Sequence, residues 1–234
     1  MHKTALVTGA TRGIGLAVTE SLIARGFTVI AVYKSSKEIA HNLSKKFGDK
    51  IITLQADVSR KEGIQLIEIQ LAKIGTLDIL INNAGLNYTK EIALMDFEDF
   101  DLVINTNLKS VVFCTKVAIP YLEKTKGVII NISSRGGFCD VAWDDTSLYC
   151  IAKAGVNNFS MNCARAFKDK GVRVNVVIPT PTQTDLLQNV FTKEEIQELA
   201  QSNKLGEPND VAKLVLKLID NKYATGKILF DNRI

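Results

Sequence analysis

Short, unbroken apolar runs alternate along the chain with longer stretches in which apolar residues recur at helical spacing. The runs are Ala5 to Val7, Phe27 to Val32, Ile51 to Leu54, Leu77 to Ile81, Val128 to Ile132 and Val172 to Ile178, rich in the aliphatic and β-branched residues that strands favour. Between them the period becomes helical: Ile14 to about Arg25, stopped by Gly26; Ser36, a possible cap, to about Phe47; and from just after Asp57 to about Ile74. The same period runs from Asp99 to about Tyr121, ended by Pro120 and Gly127, and from about Leu148 to Lys168. Helices near Lys193 to Ser202 and Asn209 to Leu218 precede a last short strand at Lys227 to Phe230.

Strands that are apolar on both faces belong to a parallel sheet covered on both sides. The alternation therefore predicts an α/β fold, a single-domain Rossmann-type doubly wound parallel sheet of about seven strands with helices on both faces. No repeat, low-complexity tract or linker divides residues 1–234. In such a sheet ligands gather at the carboxyl ends of the strands. That directs attention to Gly9 to Gly15, Tyr33 to Ser36, Asp57, Asn82 to Gly85, Ser133 to Ser147 and the segment from Pro179.

Composition changes this picture little. A chain of 234 residues with 46% hydrophobic and 23% charged residues is ordinary for one large core. Its net charge of +4 leans toward anionic ligands, and without a basic block no nucleic-acid partner is expected. Cys114, Cys139, Cys150 and Cys163 form no C-x-x-C pair, and His2 and His41 lie far from them, so neither a disulfide framework nor a metal site is expected. No apolar run approaches membrane-spanning length, and strand residues begin directly after Met1-His2-Lys3, which leaves no room for a signal peptide. The expectation is a soluble, cytoplasmic protein with reduced thiols and no membrane partner.

The stretch around which the chain is organised joins the first strand to the first helix. Gly9, Gly13 and Gly15 can take positive φ and admit a ligand close to the backbone, while the first N–H groups of the helix point outward toward an anion such as a phosphate. Glycines between a strand and a helix can also serve close packing alone, and the spacing differs from the G-x-G-x-x-G fingerprint.

Tyr149 and Lys153 are four apart at the start of a helix and share a face. A nearby ammonium lowers a phenol's pKa, which would let Tyr149 exchange a proton with a carbonyl or alcohol oxygen. A half-buried tyrosine beside a solvated lysine reads equally from the pair alone. Ser134, at the exit of the fifth strand, could hydrogen-bond a substrate oxygen or serve only as a cap or turn residue. Asn107 lies within a long helix, where asparagine has low propensity, and is either functional or simply exposed.

Read together, these motifs resemble the short-chain dehydrogenase/reductase family across nearly the whole chain. Thr8-Gly-Ala-Thr-Arg-Gly-Ile-Gly15 is similar to its cofactor turn, Asn82-Asn-Ala-Gly85 to its fourth-strand signature and Tyr149-Cys-Ile-Ala-Lys153 to its active-site motif. Gly206 to Ala212 is similar to a stretch before its final helix. The resemblance implies that Tyr149 donates or accepts the proton, Lys153 holds the nicotinamide ribose and lowers the tyrosine pKa, Ser134 polarises the carbonyl, and Asn107 holds a water in a relay to Lys153. It places Thr11, Arg12, Ile14, Asn83, Ala84 and Gly85 around the cofactor, Asp57 with Val58 at the adenine, and Pro179, Thr182 and Thr184 near the carboxamide.

Tyr33 and Lys34 stand where an NAD site carries an acid, and no acid appears before Glu38. NADP(H) is therefore the expected cofactor, its 2′-phosphate meeting Lys34 and Arg12 with help from Ser35 or Ser36, although Lys34 could be merely solvated. Three departures stand out. Pro179 is followed by Thr180 where the family has glycine. The interval from Ser134 to Tyr149 is longer by about two residues, which keeps Ser133 as a second candidate. Phe230 to Ile234 lacks the family's Asp-Gly-Gly.

Residues 179–205 are the expected substrate lid. The longer loop with Asp140, Trp143, Asp144 and Asp145 could select a hydroxylated or cationic substrate, or be solvated, and Lys124, Lys126 and Lys170 could meet an acidic carrier protein or only water. The implied activity is NADPH-dependent reduction of a small-molecule or carrier-bound ketone, most similar to that of 3-oxoacyl-carrier-protein reductases. A sugar or polyol dehydrogenase, a reductase of specialised metabolism and a silent NADP sensor are the rivals. The resemblance also implies a homo-oligomer, tetramer or dimer, built partly on the Asp99 and Leu148 helices.

Overall fold

A computed structural model of the protein describes residues 3–140, 145–188 and 191–233; Trp143, Asp144 and positions 189–190 of the expected lid lie outside the described residues. Seven strands, β1 (Thr4–Thr8), β2 (Thr28–Tyr33), β3 (Ile51–Gln55), β4 (Ile79–Asn82), β5 (Val128–Ile132), β6 (Arg173–Ile178) and β7 (Ile228–Phe230), form one sheet in the order 3-2-1-4-5-6-7. Every pair is parallel, with Leu6 opposite both Ile30 and Leu80 at the centre. The described helices are α1 (Gly13–Ala24), α2 (Lys37–Phe47), α3 (Lys61–Ile74), α4 (Phe97–Ile104), α5 (Ser110–Thr125), α6 (Ser147–Ala166), α7 (Asp185–Gln188), α8 (Lys193–Gln201) and α9 (Pro208–Asp220).

The period of two within each strand explains why both faces read as apolar. Ala5, Val7, Val29, Ala31, Ile79, Ile81 and Ile130 pack with Val18 and Leu22 of α1, Leu43 of α2 and Val211 and Val215 of α9. Their neighbours Leu6, Ile30, Val32, Leu80, Ile129 and Val174 pack on the other face against Ile64, Ile67 and Leu71 of α3, Cys114, Ala118 and Leu122 of α5, and Cys163 of α6. Because the strand order reverses between β1 and β4, a crevice opens at their carboxyl ends.

Pro120 was expected to end a helix, yet α5 continues through it to Thr125. The ring sits on the exposed side, where the carbonyl that loses its partner faces water, and the helix stops at Lys126 in the left-handed conformation at φ 52°. Between α4 and α5 the helix widens into a π turn at Asn105–Lys109. The combined stretch Phe97–Thr125 is, by length and composition, long and apolar enough to cross a membrane, against the expectation that no run approaches that length. Half of its most apolar window is buried inside the fold, where Val111, Cys114 and Ala118 are packed as in a core helix.

Candidate active site

The glycine turn closes through backbone contact. Gly9 and Gly13 have φ of 64° and 51°, and a Cβ on Gly15 would lie 2.1 Å from the Gly9 carbonyl oxygen, so only glycine permits the approach. Asn83 braces the bend: its Nδ2 donates to the Thr8 and Gly9 carbonyls at 2.9 and 3.2 Å, and its N–H and that of Ala84 donate to Thr8 Oγ1. The Asn83 Nδ2 is thus engaged by the turn. Arg12, at the cap of α1, gives no side-chain bond to the helix, whose first internal bond is Leu16 N–H to the Arg12 carbonyl. The preceding N–H groups face a cleft of about 400 Å³ lined by Thr11, Arg12, Gly13, Gln183 and Asp185 among others. Open donors, a helix N-terminus and a surface no side chain fills suit a pyrophosphate.

At the end of β2, Lys34 is not merely solvated. Its Nζ lies 2.9 Å from Asp57 Oδ2, while Asp57 Oδ1 accepts from Ser59 N and Oγ at 3.0 and 2.6 Å. Burial works to raise the Asp57 pKa, but the bonds from Ser59 and Lys34 outweigh it and hold the carboxyl below its ordinary value. Arg12 faces Asp185 at 3.9 Å, both side chains exposed. Both expected phosphate ligands therefore already face a carboxylate. Tyr33 is half-buried, Ser35 exposed and Val58 buried. Ser36 occupies the cap position of α2 without making the expected side-chain bond.

Asn107 is fully buried on the π turn, which excludes the exposed alternative. It clamps one residue: Oδ1 accepts from Leu86 N and Nδ2 donates to the Leu86 carbonyl, each at 3.0 Å. A Cβ on Gly85 would lie 2.7 Å from Asn107 Oδ1 and 3.7 Å from Lys153 Nζ, so amide and amine converge on that glycine.

On α6, Lys153 Nζ lies 5.6 Å from the centroid of the Tyr149 ring and donates to the Ile132 carbonyl at 3.1 Å. The Ser134 hydroxyl is near enough to the Tyr149 phenol to lower its pKa, and Ser134 Oγ accepts from Gly136 N at 3.2 Å. Ser133 is buried and donates to the Lys153 carbonyl at 3.3 Å, which leaves Ser134 as the serine beside the phenol. The electrostatics run against the expected direction. Burial pushes the Tyr149 phenol up to about 12, partly offset by the nearby Ser134 hydroxyl, and pushes Lys153 down to about 8. Desolvation is the largest influence on the phenol, and it outweighs what lowers it.

Beyond β6, Thr180 is buried with an unpartnered hydroxyl and needs no positive φ, so the missing family glycine leaves the backbone unstrained. Thr182 Oγ1 donates to the Thr180 carbonyl at 2.8 Å and Thr184 Oγ1 to the Thr182 carbonyl at 3.2 Å. A Cβ on Gly13 would come within 2.9 Å of Thr184 Cγ2, so the start of the expected lid rests on the glycine turn. Asn87 Nδ2 reaches across to the Leu186 carbonyl at 3.4 Å. In the longer loop, Asp140 is paired with Arg135 through two bonds of 2.9 and 2.6 Å, and Phe138 packs on Phe230 of β7.

Two further findings lay outside the motifs. Lys124 donates to the Gly75 carbonyl and Lys170 pairs with Glu123; with Lys126 they stand before β5 and β6, at the edge of the sheet opposite the crevice, and cannot flank its entrance. At the crevice side, Tyr88 and Lys90 both bond Asp99, whose carboxyl is held far below its ordinary value by them. Lys90 N also donates to the Asp145 carbonyl at 2.7 Å, tying the segment after β4 to the loop before Tyr149. The only trace of this network in the sequence is the Asp96 and Asp99 capping box that starts α4.

The family model described as short chain dehydrogenase matches residues 3–195. The chain is 38% identical over 237 residues to the 3-oxoacyl-(acyl-carrier-protein) reductase FabG of Haemophilus influenzae, covering 98% of this chain and 96% of the relative. It is 33% identical to glucose 1-dehydrogenase 2 of Bacillus subtilis, with 97% and 92% covered. A solved short chain dehydrogenase from Burkholderia cenocepacia, in complex with NADP, superposes with a TM-score of 0.88 at 29% identity, covering 97% of this chain and 95% of that one.

Proposed function

The chain belongs to the short chain dehydrogenase family and is an oxidoreductase acting on CH–OH and carbonyl groups; on that premise we propose that it is an NADPH-dependent reductase of ketones presented as 3-oxoacyl thioesters. The observation that carries the reading is the Lys153 amine 5.6 Å from the centroid of the Tyr149 ring and held to the Ile132 carbonyl at the end of β5, with Ser134 following that strand, at the carboxyl edge that also holds the glycine turn.

Bound NADPH supplies the hydride; the protein's residues supply position and a proton. Ser134 holds the carbonyl oxygen, and Tyr149 gives it a proton as negative charge develops there. A phenol pushed up to about 12 stays protonated at neutral pH, the form a reduction needs at its start. Once Tyr149 has released its proton, a charged Lys153 stabilises the tyrosinate, and the proton is restored from the side where Asn107 and Lys153 converge on Gly85. The glycine turn takes the pyrophosphate, and Lys34 and Arg12 take the 2′-phosphate by exchanging their carboxylate partners for it. The higher identity to an acyl-carrier-protein reductase, 38% against 33% for the glucose dehydrogenase, favours the thioester.

A sugar dehydrogenase is the second reading, favoured by the likeness to glucose 1-dehydrogenase 2. Exposed Ile92, Phe97, Phe100, Phe113 and Ile151, the last three at 46, 38 and 54% accessibility, support self-association over α4, α5 and α6, and a cytoplasmic setting accords with the four free thiols. Loss of NADPH absorbance with acetoacetyl thioesters and a ketone panel, run beside NADP reduction with glucose, tests the assignment. Turnover of the thioester supports it; turnover of glucose alone selects the second reading; tight NADPH binding without turnover of any of them would contradict both.

A further inference from the structure

The end of the chain and the stretch from Leu205 to Asp210 meet behind the expected lid at one guanidinium. Arg233 Nε and Nη2 bond Asp231 at 3.0 and 2.8 Å, Nη2 also bonds Asp210 of α9 at 2.9 Å, and Nη1 donates to the Leu205 carbonyl at 3.3 Å. Asp231 is buried, and its own N–H continues the sheet by donating to the Ile178 carbonyl at 3.0 Å. The guanidinium is therefore fixed to the end of β6 through one carboxylate and to the start of α9 through the other.

From there the connection runs forward. Gly206 lies between the Thr180 hydroxyl and Arg233: a Cβ there would come within 2.6 Å of the first and 3.1 Å of Nη2. Gly206 N donates to the Pro181 carbonyl at 2.8 Å, Gln183 N donates to the Gly206 carbonyl at 2.9 Å, and Thr182 bridges Gly206 as a parallel pair. This short pairing ties the closing end of the 183–205 segment to the residues that open it, and Thr184 then rests on Gly13 of the phosphate turn.

We propose that Arg233 is a positioning residue for cofactor binding: by clamping Leu205 and Gly206 it fixes the base of the lid, and so the 180–184 segment against the glycine turn. It touches no reacting atom. The inference rests on the reading of residues 179–205 as a lid over NADPH. The geometry also predicts a clamp that holds through ordinary pH, since its carboxylates are held low, Asp210 to about 2 by Lys213 and Arg233 and Asp231 by Arg233.

The test is NADPH affinity by fluorescence titration, with KM and kcat, for the full chain and its Arg233→Gln and Arg233→Lys variants, together with trypsin cleavage after Lys193 and Lys204. Arg233→Gln is expected to weaken NADPH binding and raise its KM by about tenfold, the scale of one lost charge-assisted bond, with kcat within about twofold. Cleavage in the lid should accelerate, and Arg233→Lys should recover part of the affinity. Gly206→Ala, which pushes the same parts apart, should reproduce the loss and serves if Arg233→Gln does not fold. A lower melting temperature with unchanged NADPH affinity and unchanged lid cleavage would make Arg233 a purely structural residue and overturn the proposal. Failure of the unaltered chain to bind NADPH would instead contradict the functional reading itself.

Discussion

Two cations on opposite edges of the same sheet, Arg173 half-buried and Lys153 buried, differ in how completely the protein satisfies them. At the amino edge, Arg173 at the start of β6 donates to the carbonyls of Leu218, Ile219, Asn221 and Ala224, closing the end of α9. At the carboxyl edge, Lys153 donates to the single carbonyl of Ile132, and burial pushes it down to about 8. A guanidinium whose donors are spent on backbone is a fastener. An amine that the fold desolvates without surrounding it with acceptors is held ready for something else. Partner supply, more than charge, separates structure from function here.

The sharpest way to break that comparison is to remove each cation in turn. Lys153→Met should lower turnover by about 10²-fold or more while the fold persists. Its proton count offers an independent reading. Lys153 sits at about 8 in the free protein, so binding an anionic dinucleotide, which favours the ammonium, should take up a proton between about pH 8 and 9. Calorimetry in buffers of different ionisation enthalpy measures this, and the uptake should vanish in Lys153→Met. Stability gives the matching sign: between pH 8 and the ordinary value of 10.5 the unfolded chain binds the extra proton, so stability attributable to Lys153 rises with pH across that window.

The next largest effect concerns cofactor choice. Lys34→Gln should reduce the preference for NADPH over NADH by about tenfold, equivalent to 1.4 kcal/mol, and Lys34→Asp by more, because it sets a second carboxylate beside Asp57. Equal ratios in all three proteins would remove Lys34 from the phosphate site. Smaller still for catalysis is Arg173→Met, which should leave kcat and KM unchanged but strip partners from the end of α9, costing about 1–3 kcal/mol and lowering Tm by several degrees. Altered kinetics in that variant would blur the distinction between the two edges.

The strands were legible because burial on both faces makes them unbroken apolar runs, and the glycine turn because Gly9 and Gly15 answer to steric demands that few other residues meet. Tyr149 and Lys153 were legible by their helical spacing. Other features depend on relations that spacing does not encode. The π turn at Asn105–Lys109 carries the Asn107 side chain to Leu86, a partner 21 residues away. The bond from Asn83 Nδ2 to the neighbouring strand has no trace in the spacing. Pro120 should have ended α5 and did not, since it falls on the exposed side where a lost bond is cheap. Lys124 and Lys170 were plausible carrier contacts only until the topology assigned them to the wrong edge. Arg233 was invisible because its partners outside the tail are Asp210, 23 residues away, and Leu205, 28 away. The direction of the Tyr149 shift was missed for a related reason: sequence shows the neighbouring amine but not the desolvation that raises the phenol.

The central claim is that the desolvated phenol of Tyr149 delivers the proton beside a nicotinamide held on the glycine turn. The most direct measurement is NADPH binding and 3-oxoacyl thioester turnover on one preparation of Tyr149→Phe. The account predicts NADPH affinity within about twofold of the unaltered protein and turnover reduced by at least about 10²-fold, since only the hydroxyl is lost. Retained turnover in that variant would contradict it.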